Sequence, residues 1–364
     1  SKTVDANKDV IDVALSVNTT LLKETVVTAL GIPKEKKSIG YAVSEVKAGD
    51  IAKSGEQNAI QALAGKAAGI QVTSSGGTPG ASSKITLRGN STFTGQNQPL
   101  IVVDGSPIDN ETNAIVGDNP FNTGLNGVNN SNRALDINPD DIESVSILKG
   151  PAAAALYGAR AGAGAILYTT KKGKFRKGLG VTLSSSVELQ KVNKLPEQQT
   201  KYAQGAASNG KFLTADPGPD NVYGTPDDVT AGTPQSWGPT LESLGMTPYD
   251  NTKNFYQTGT TYTNNLSIDG GTENTTYRFS YSNMDNTGVM RNSYLKRNTI
   301  RVNADHKLSQ KLTTGVSVSY VNTKSQLPQN GSTVAGPMLG LMRTPVSFNL
   351  SDYQYENGFN KTYF

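Results

Sequence analysis

The sequence predicts a compact α+β domain followed by the first strands of an antiparallel transmembrane β-barrel. Two patterns along the chain carry this prediction. Between about residues 45 and 172, helix-capping residues, glycine turns and short apolar runs follow one another, which is typical of a mixed α+β domain. From residue 180 onward, apolar residues recur at every second position and helix signals disappear, which is the pattern of barrel strands.

The composition excludes several classes of protein. Hydrophobic residues make up 35% of the 364 residues, and no apolar run approaches the roughly 18 residues that a membrane helix needs. The chain has no cysteine and a single histidine, His306, which excludes a disulfide scaffold and a thiolate or multi-histidine metal site. No order of serine, histidine and acid indicates an enzyme. A net charge of +4 is too small to indicate nucleic-acid binding.

The first 44 residues lack the pattern of the α+β domain. Residues 1–21 alternate weakly between polar and apolar side chains, which predicts the last strand of a small domain whose beginning is missing. Residues 22–44 lose this periodicity and contain Pro33 and several lysines. They are predicted to form a mobile linker.

The α+β domain is predicted to begin with a helix. Ser54 precedes Gln57 by three residues, the spacing of a capping box, and apolar residues then recur at helical spacing until Gly69. Asn138 before Pro139 predicts a second helix start, because an asparagine cap and a proline at the first position suit a helix N-terminus. The remaining predicted elements are strands at 70–73, 84–88, 100–103 and 144–149 and a helix at 152–157.

Five strands of the barrel type follow. They are predicted at 180–191, 260–270, 275–285, 295–306 and 312–323, and most approach the roughly 9–11 residues that a tilted strand needs to cross a bilayer. Long and short connections alternate between them, as in outer-membrane barrels with short periplasmic turns and long external loops. A plugged barrel of this kind has about 22 strands, so the chain is predicted to be a portion of a longer protein.

Four segments resemble one protein family. They are LKETVVTALG at 22–31, PLIVVDG at 99–105, LKGPA at 148–152 and TKKG at 170–173. In this order and at these separations they are similar to SusC-like (SusC/RagA-type) TonB-dependent outer-membrane transporters of the Bacteroidota. The resemblance implies four regions: the tail of a small N-terminal extension domain (1–21), a TonB box with its linker (22–44), a plug domain (45–172) and the first part of the barrel with long extracellular loops (173–364).

The TonB box implied by this resemblance comprises Glu24, Thr25, Val26, Val27, Thr28 and Ala29. A short β-prone segment between mobile segments can add as a strand to the sheet edge of a partner. Main-chain hydrogen bonds would then transmit force from the inner-membrane TonB protein to the plug. The alternative is that the segment is simply a strand of the extension domain.

Arg88 and Arg160 are the candidate contacts between plug and barrel. Their guanidinium groups either pair with carboxylates of the barrel wall or cap the ends of sheet strands. Pairing is the favoured interpretation, because a removable plug needs polar contacts that can be broken and not an apolar core.

The long loop at 194–258 has an acidic cluster formed by Asp216, Asp220, Asp227 and Asp228. These carboxylates either bind a structural Ca²⁺, since calcium takes oxygen ligands from flexible loops, or belong to an ordinary solvated loop. No cofactor is required. Four aromatic residues follow: Trp237, Tyr249, Phe255 and Tyr256. They either contact a sugar or a partner or pack within the loop, and packing is the favoured interpretation.

The resemblance implies a function and a location. The expected function is active import of glycan fragments or oligopeptides across the outer membrane, driven by TonB in its complex with ExbB and ExbD. A SusD-like surface lipoprotein would act as a lid, barrel strands would contact lipid, and nucleic acid is not a partner. The plug and N-terminus would be periplasmic and the long loops extracellular. The alternative is a receptor or surface-anchoring protein that keeps the plug and barrel without transport.

Overall fold

The computed structural model describes residues 25–27, 33–35, 43–52, 54–56, 58–74, 77–90, 97–110, 131–205, 235–328, 336–354, 356 and 358. Its strands are β1 (Thr25–Val27), β2 (Pro33–Glu35), β3 (Val43–Lys47), β4 (Ile70–Ser74), β5 (Ser83–Leu87), β6 (Leu100–Val103), β7 (Ser106–Ile108), β8 (Ile142–Leu148), β9 (Ala165–Thr170), β10 (Arg176–Gln190), β11 (Gly259–Gly271), β12 (Thr275–Thr287), β13 (Tyr294–Lys307) and β14 (Thr313–Gln326). Its α-helices are α1 (Ala48–Ala52), α2 (Pro151–Tyr157), α3 (Asn251–Phe255) and α4 (Pro337–Arg343). Short 3₁₀-helices cover Gln61–Leu63, Arg133–Asp136, Pro139–Asp141, Ala159–Ala161 and Glu242–Leu244. Within these residues, no helix has the length and apolar composition to span a membrane.

The plug domain (residues 43–170) is built on a five-stranded mixed sheet with the strand order β3-β8-β9-β6-β7. β6 and β9 are parallel, and the other neighbours are antiparallel. Ile101, Ile147 and Ile166 belong to one apolar cluster, together with residues of α1 and the 3₁₀-helix after it. Val102 and Leu167 belong to a second cluster, to which α2 contributes. Because both faces of this sheet are covered, its central strands β6 (LIVV) and the first four residues of β9 (AILY) are continuous apolar runs without alternation.

The helix predicted to begin at Ser54 is wrong. α1 lies before this residue, and the Ser54 hydroxyl donates to the carbonyl oxygen of Ile51 at 2.6 Å, so Ser54 follows the end of a helix. Ile60 and Leu63 are buried, but a single 3₁₀-helix covers this stretch. Gly65 takes a φ of 70°, in the left-handed region where a right-handed helix stops. The apolar spacing therefore reflects burial against the sheet.

Other local predictions in the plug are confirmed. Asn138 Oδ1 accepts from the backbone N–H of Asp140 at 3.2 Å, as a helix cap does, although the helix that follows is a short 3₁₀-helix. α2 begins at Pro151, directly after Gly150, and ends before Gly158. The four predicted plug strands are all present, with bounds within two residues of those expected.

Strands β10 to β14 form a second sheet, which we call the wall sheet. Its strands are antiparallel and lie in chain order, and all five were predicted. They are 13 to 15 residues long. Short turns join β11 to β12 and β13 to β14, whereas long segments follow β10 and β14. β10 pairs with β11, so the chain leaves the plug sheet and enters the wall sheet within a few residues.

The two faces of the wall sheet have opposite character. One face carries Val181, Leu183, Phe279, Ile300 and Val318, and all of them are exposed, with 73% of Leu183 accessible. The other face is mostly polar and, along β11 to β13, lies against the plug. A soluble sheet buries its apolar face, whereas a barrel presents it to lipid. The wall sheet therefore has the arrangement of barrel strands.

The segment predicted as a mobile linker contains a short two-stranded sheet. β1 and β2 pair in antiparallel fashion, with Thr25 opposite Glu35 and Val26 opposite Lys34, because the β-prone run of β1 has a partner close by in sequence. The next strand, β3, starts at Val43 and pairs with β8. Residues 1–21, predicted to end an extension domain, lie outside the described residues.

The segments that follow β10 and β14 pack together at the same end of the wall sheet. Leu241 and Val346 share a small apolar cluster, and the Tyr249 N–H donates to the Val346 carbonyl oxygen at 2.8 Å. Asn251 Nδ2 donates to the Phe348 carbonyl oxygen at 2.9 Å. The two segments predicted to lie on the same side of a membrane thus form one loop layer.

Candidate functional site at the plug and wall interface

Arginines of the wall sheet meet aspartates of the plug. Arg301 in β13 forms an ion pair with Asp104, at the turn between β6 and β7. Arg278 Nη2 in β12 lies 3.5 Å from Asp141 Oδ1. Both arginine side chains are only 12% exposed. Because a charge removed from water needs a partner, these pairs hold the wall sheet at a defined position on the plug.

Asp104 connects three parts of the molecule. The dipeptide with Gly105 turns the chain from β6 to β7, and Asp104 takes a φ of 47°, which aspartate tolerates better than most residues. Its carboxylate accepts from the Thr170 N–H at 2.9 Å and from the Thr170 hydroxyl at 2.8 Å. The same carboxylate accepts from Arg301. One side chain therefore ties the end of β9 and the wall sheet to the same turn.

A second contact between plug and wall is formed by Asp140, next to Lys171 at the end of the plug. Asp140 Oδ2 accepts from Asn265 Nδ2 of the wall sheet, and Lys171 Nζ donates to the Asp140 carbonyl oxygen at 2.6 Å. Burial raises the pKa of the Asp140 carboxyl, and the charge of Asp141 raises it further, whereas Lys171 lowers it. Burial also lowers the pKa of the Lys171 amine. This interface is thus a partly desolvated polar layer.

Arg297 of β13 is an almost fully buried charged residue of the wall. It is 1% exposed, and its Nη1 donates to the carbonyl oxygen of Leu135 in the plug. Leu135 also packs against Met284 and Leu295 of the wall sheet. At Gly80 (φ 74°) a Cβ would lie only 3.1 Å from Leu295 Cδ1, so glycine permits this close approach.

The crossing from plug to wall needs a glycine. A Cβ at Gly173 would overlap the backbone of Tyr277 in β12. Beside it, Lys172 Nζ lies 3.4 Å from Asp305 Oδ1 of β13. The chain thus passes directly along the inner face of the wall sheet before it becomes β10.

Comparisons with known proteins identify this arrangement. The family model of the TonB-dependent receptor plug domain matches residues 35–165. The chain is 31% identical over 351 residues to the TonB-dependent receptor SusC of Bacteroides thetaiotaomicron, which covers 96% of this chain and 31% of that protein. Residues 35–165 thus match a TonB-dependent receptor plug domain, and the chain as a whole is similar to SusC-like TonB-dependent receptors. Its relatives are TonB-dependent receptors and not enzymes, as predicted. They are outer-membrane proteins, which agrees with the predicted membrane, and the orientation of plug and loops stays a prediction.

Further similarities agree with this assignment. The receptor is 33% identical to the TonB-dependent receptor P26 of Formosa agariphila, over 98% of this chain and 32% of that protein. It also has the fold of the RagAB peptide importer in its open-open state, with a TM-score of 0.65 and 20% identity over 93% of this chain and 38% of that chain. The chain spans about a third of the length of the curated relatives it matches. The predicted fold, a plug followed by part of a barrel, is confirmed.

Arg88 and Arg160, the predicted contacts between plug and barrel, lie away from the described interface with the wall sheet. Arg88 and Arg160 are exposed, and among the described residues neither forms a hydrogen bond or ion pair with the wall sheet. Arg88 takes a φ of 60°, and its N–H donates to the Gly69 carbonyl oxygen at 2.9 Å. In the two buried ion pairs the charges are opposite to those expected, with carboxylates on the plug and guanidinium groups on the wall. A contact of Arg88 or Arg160 with other parts of a barrel stays a prediction.

The other predicted site residues are only partly described. Thr25, Val26 and Val27 of the TonB box form β1; Glu24, Thr28 and Ala29 lie outside the described residues. The four acidic residues of the candidate calcium site also lie outside them: Asp216, Asp220, Asp227 and Asp228. Both assignments stay predictions.

The loop aromatics contact neighbouring residues of the loop layer. The rings of Trp237 and Tyr202 lie 6.1 Å apart, and those of Phe255 and Tyr256 lie 4.9 Å apart in an edge-to-face arrangement. The Tyr256 hydroxyl also donates to Met338 Sδ at 2.7 Å. These contacts favour packing within the loops.

Sequence reasoning missed the wall arginines. Arg278 and Arg301 occupy polar positions in the alternating strands β12 and β13, and no role was predicted for either. Their position in the sequence was the available signal, because each lies between two apolar residues. Those neighbours face lipid, so the arginine between them must face the barrel interior. An arginine directed inward needs an acidic partner, and the conspicuous turn aspartate, Asp104, was the candidate.

Proposed function

We propose that this receptor imports a nutrient across the outer membrane, with energy supplied through TonB. The observation that carries the proposal is the polar interface between plug and wall. Its contacts are mostly hydrogen bonds and ion pairs, each worth about 0.5–1.5 kcal/mol, or up to about 3 kcal/mol with charged groups. Such contacts hold the plug at rest and can be broken one at a time by a pulling force.

Coupling would run through β1. This strand has one edge paired with β2, and a strand of TonB can add to its other edge by main-chain hydrogen bonds. TonB, in its complex with ExbB and ExbD, would then pull on residues that precede β3, the edge strand of the plug sheet. This geometry requires the N-terminus and plug to be reached from the periplasm and the loop layer to lie outside the cell.

The substrate and lid are part of the proposal. One similar structure is a peptide importer, and one relative is SusC, which supports oligopeptides or glycan fragments as the substrate class. A SusD-like lipoprotein would close over the loop layer. The packed loops after β10 and β14 supply a formed surface for such a lid.

Val26→Pro in the full-length receptor tests the coupling. Proline removes a main-chain donor and restricts φ in the middle of the pairing segment, so we expect uptake to be abolished while substrate binding and barrel assembly are retained. Val26→Ala keeps the donor and should lose far less. Uptake of labelled substrate by intact cells is the measurement.

Lys34→Pro is the matched control. It removes the corresponding donor from β2 and disturbs the β1–β2 pairing without altering the TonB box. If Lys34→Pro retains uptake, the loss of uptake in Val26→Pro is due to the TonB box itself. Uptake by Val26→Pro at the parental rate would contradict energised import and would favour a receptor or surface anchor on the same scaffold.

A further inference from the structure

A cavity of about 300 Å³ lies between plug and wall, at the end of the wall sheet opposite the plug-to-wall crossing. Its wall side is formed by Glu188, Gln190 and Asn286, and its plug side by residues 77–81 together with Gly55, Glu56, Asn58, Gln61 and Leu135. Glu188 and Asn286 both stand opposite Thr261, on either side of β11. The wall therefore contributes the Glu188 carboxylate and the Asn286 amide from residues that are paired across three neighbouring strands.

Two carboxylates converge on this cavity. Glu56 comes from the plug and Glu188 from β10. Burial raises the pKa of Glu56, and the charge of Glu188 raises it further, while Lys66 lowers it. Lys66 itself donates to the Asp50 carbonyl oxygen, and Glu188 accepts from Gln190 at 2.9 Å. Two like charges brought together by separate parts of the fold favour a cation between them.

Two buried amides at the same cavity each have an unused atom. Asn58 is 2% exposed; its Oδ1 accepts from the Ile60 N–H at 2.9 Å, and its Nδ2 has no partner. Asn286 is 1% exposed; its Nδ2 donates to the Thr261 hydroxyl, and its Oδ1 has no partner. The Ile60 N–H fixes the orientation of the Asn58 amide, because only the amide oxygen can accept from it. The cavity thus offers one donor and one acceptor that remain to be satisfied, a feature that is uncommon for buried groups.

We propose that this cavity binds the protonated amine of a ligand that carries a hydrogen-bond acceptor a few bonds away. The ammonium group would donate to the carboxylates of Glu56 and Glu188 and to Asn286 Oδ1. The neighbouring carbonyl or hydroxyl would accept from Asn58 Nδ2. The N-terminus of a peptide and an amino sugar share this chemistry. The inference rests on the proposed import function, for which it defines a substrate class.

The test uses the full-length receptor purified in detergent and two small probes. Glycinamide carries an ammonium beside a carbonyl, and glucosamine carries one beside hydroxyls; N-acetylglycinamide and N-acetylglucosamine lack the charge. We expect saturable binding of at least one amine by ligand-observed NMR, and binding at least tenfold weaker for its acetylated form. Glu56→Gln and Glu188→Gln should each weaken amine binding at least tenfold, because each removes one charge without changing side-chain size.

Glu273→Gln is the matched control. Glu273 lies in the exposed turn between β11 and β12, at the other end of the wall sheet, so amine binding should be unchanged. Stronger binding of glycinamide would indicate peptides, and stronger binding of glucosamine would indicate amino sugars. The proposal is overturned if neither amine binds the parent, if both cavity variants bind like the control, or if calcium binds there and the amines do not. Binding needs no TonB, so this result is separate from the uptake experiment.

Discussion

The plug and the wall sheet place their apolar residues in opposite directions. In the plug, Ile101 and Ile166 are fully buried between the sheet and its covering helices. In the wall, Leu183 and Val318 project from the molecule, and the polar face is turned inward. The plug interior is therefore organised like a water-soluble domain, whereas the wall requires an apolar surrounding. Apart from the apolar contact of Leu135 with Met284 and Leu295, the interface between the two is polar on both sides. The plug therefore has a stable interior of its own and a contact with the wall that can be broken.

The largest expected effect concerns the plug interior. Ile166→Ala removes side-chain volume from a fully buried position, and we expect a loss of about 2–5 kcal/mol in the free energy of unfolding of the plug. Ile300→Ala makes the same change on the exposed face of β13, where little should be lost. Hydrogen exchange of the β8 and β9 amides in the full-length receptor measures the difference. Equal effects of the two variants would mean that the plug is not an independently packed core.

The next effect concerns the apolar face of the wall. Leu183→Arg places a charge at the middle of β10 on the face presented to lipid, which costs about 2–4 kcal/mol in a barrel. Ser186→Arg places the same charge on the opposite face and should be tolerated. The amount of folded receptor in isolated outer membranes measures the result. Normal assembly of Leu183→Arg would contradict the assignment of the two faces.

A smaller effect is expected at the interface. Asp104→Asn removes the charge that accepts from Arg301, and we expect a loss of about 1–3 kcal/mol. A double-mutant cycle with Arg301→Gln should show a coupling energy of about 0.5–3 kcal/mol, measured by urea denaturation of the full-length receptor. Additive effects of the two substitutions would show that the pair does not hold the plug.

The smallest effect is the pH dependence of Asp140. Its native pKa is raised by burial above the unfolded value of about 3.9, so folding favours the protonated form. The stabilisation due to protonation is full below about pH 4 and is lost as the pH rises through the native pKa. We therefore expect Asp140→Asn, which stays neutral, to be more stable than the parent at pH 7 and to lose this advantage near pH 4. Urea denaturation of both proteins at pH 7 and pH 4 measures this change. A stability difference that is the same at both pH values would contradict the predicted direction.

Part of this structure was determined by the sequence alone. The five wall strands and four plug strands were predicted nearly to their ends, because alternation and apolar runs are local patterns set by which face is buried. The family followed from short motifs in the correct order. The prediction of a helix after Ser54 was wrong. The apolar spacing there arises from packing against the sheet, and Gly65 takes a left-handed φ at which a helix stops.

Which residues meet across the interface was decided only by the tertiary structure. Asp104 and Arg301 are 197 positions apart, and Glu56 and Glu188 come from different parts of the fold. Whether such residues meet depends on how the plug and the wall sheet are placed against one another. That placement results from many weak contacts at once, among them the close approach at Gly80 and the passage of the chain at Gly173. For this reason the sequence predicted a polar interface but did not identify the ion pairs of Asp104 and Asp141 with wall arginines.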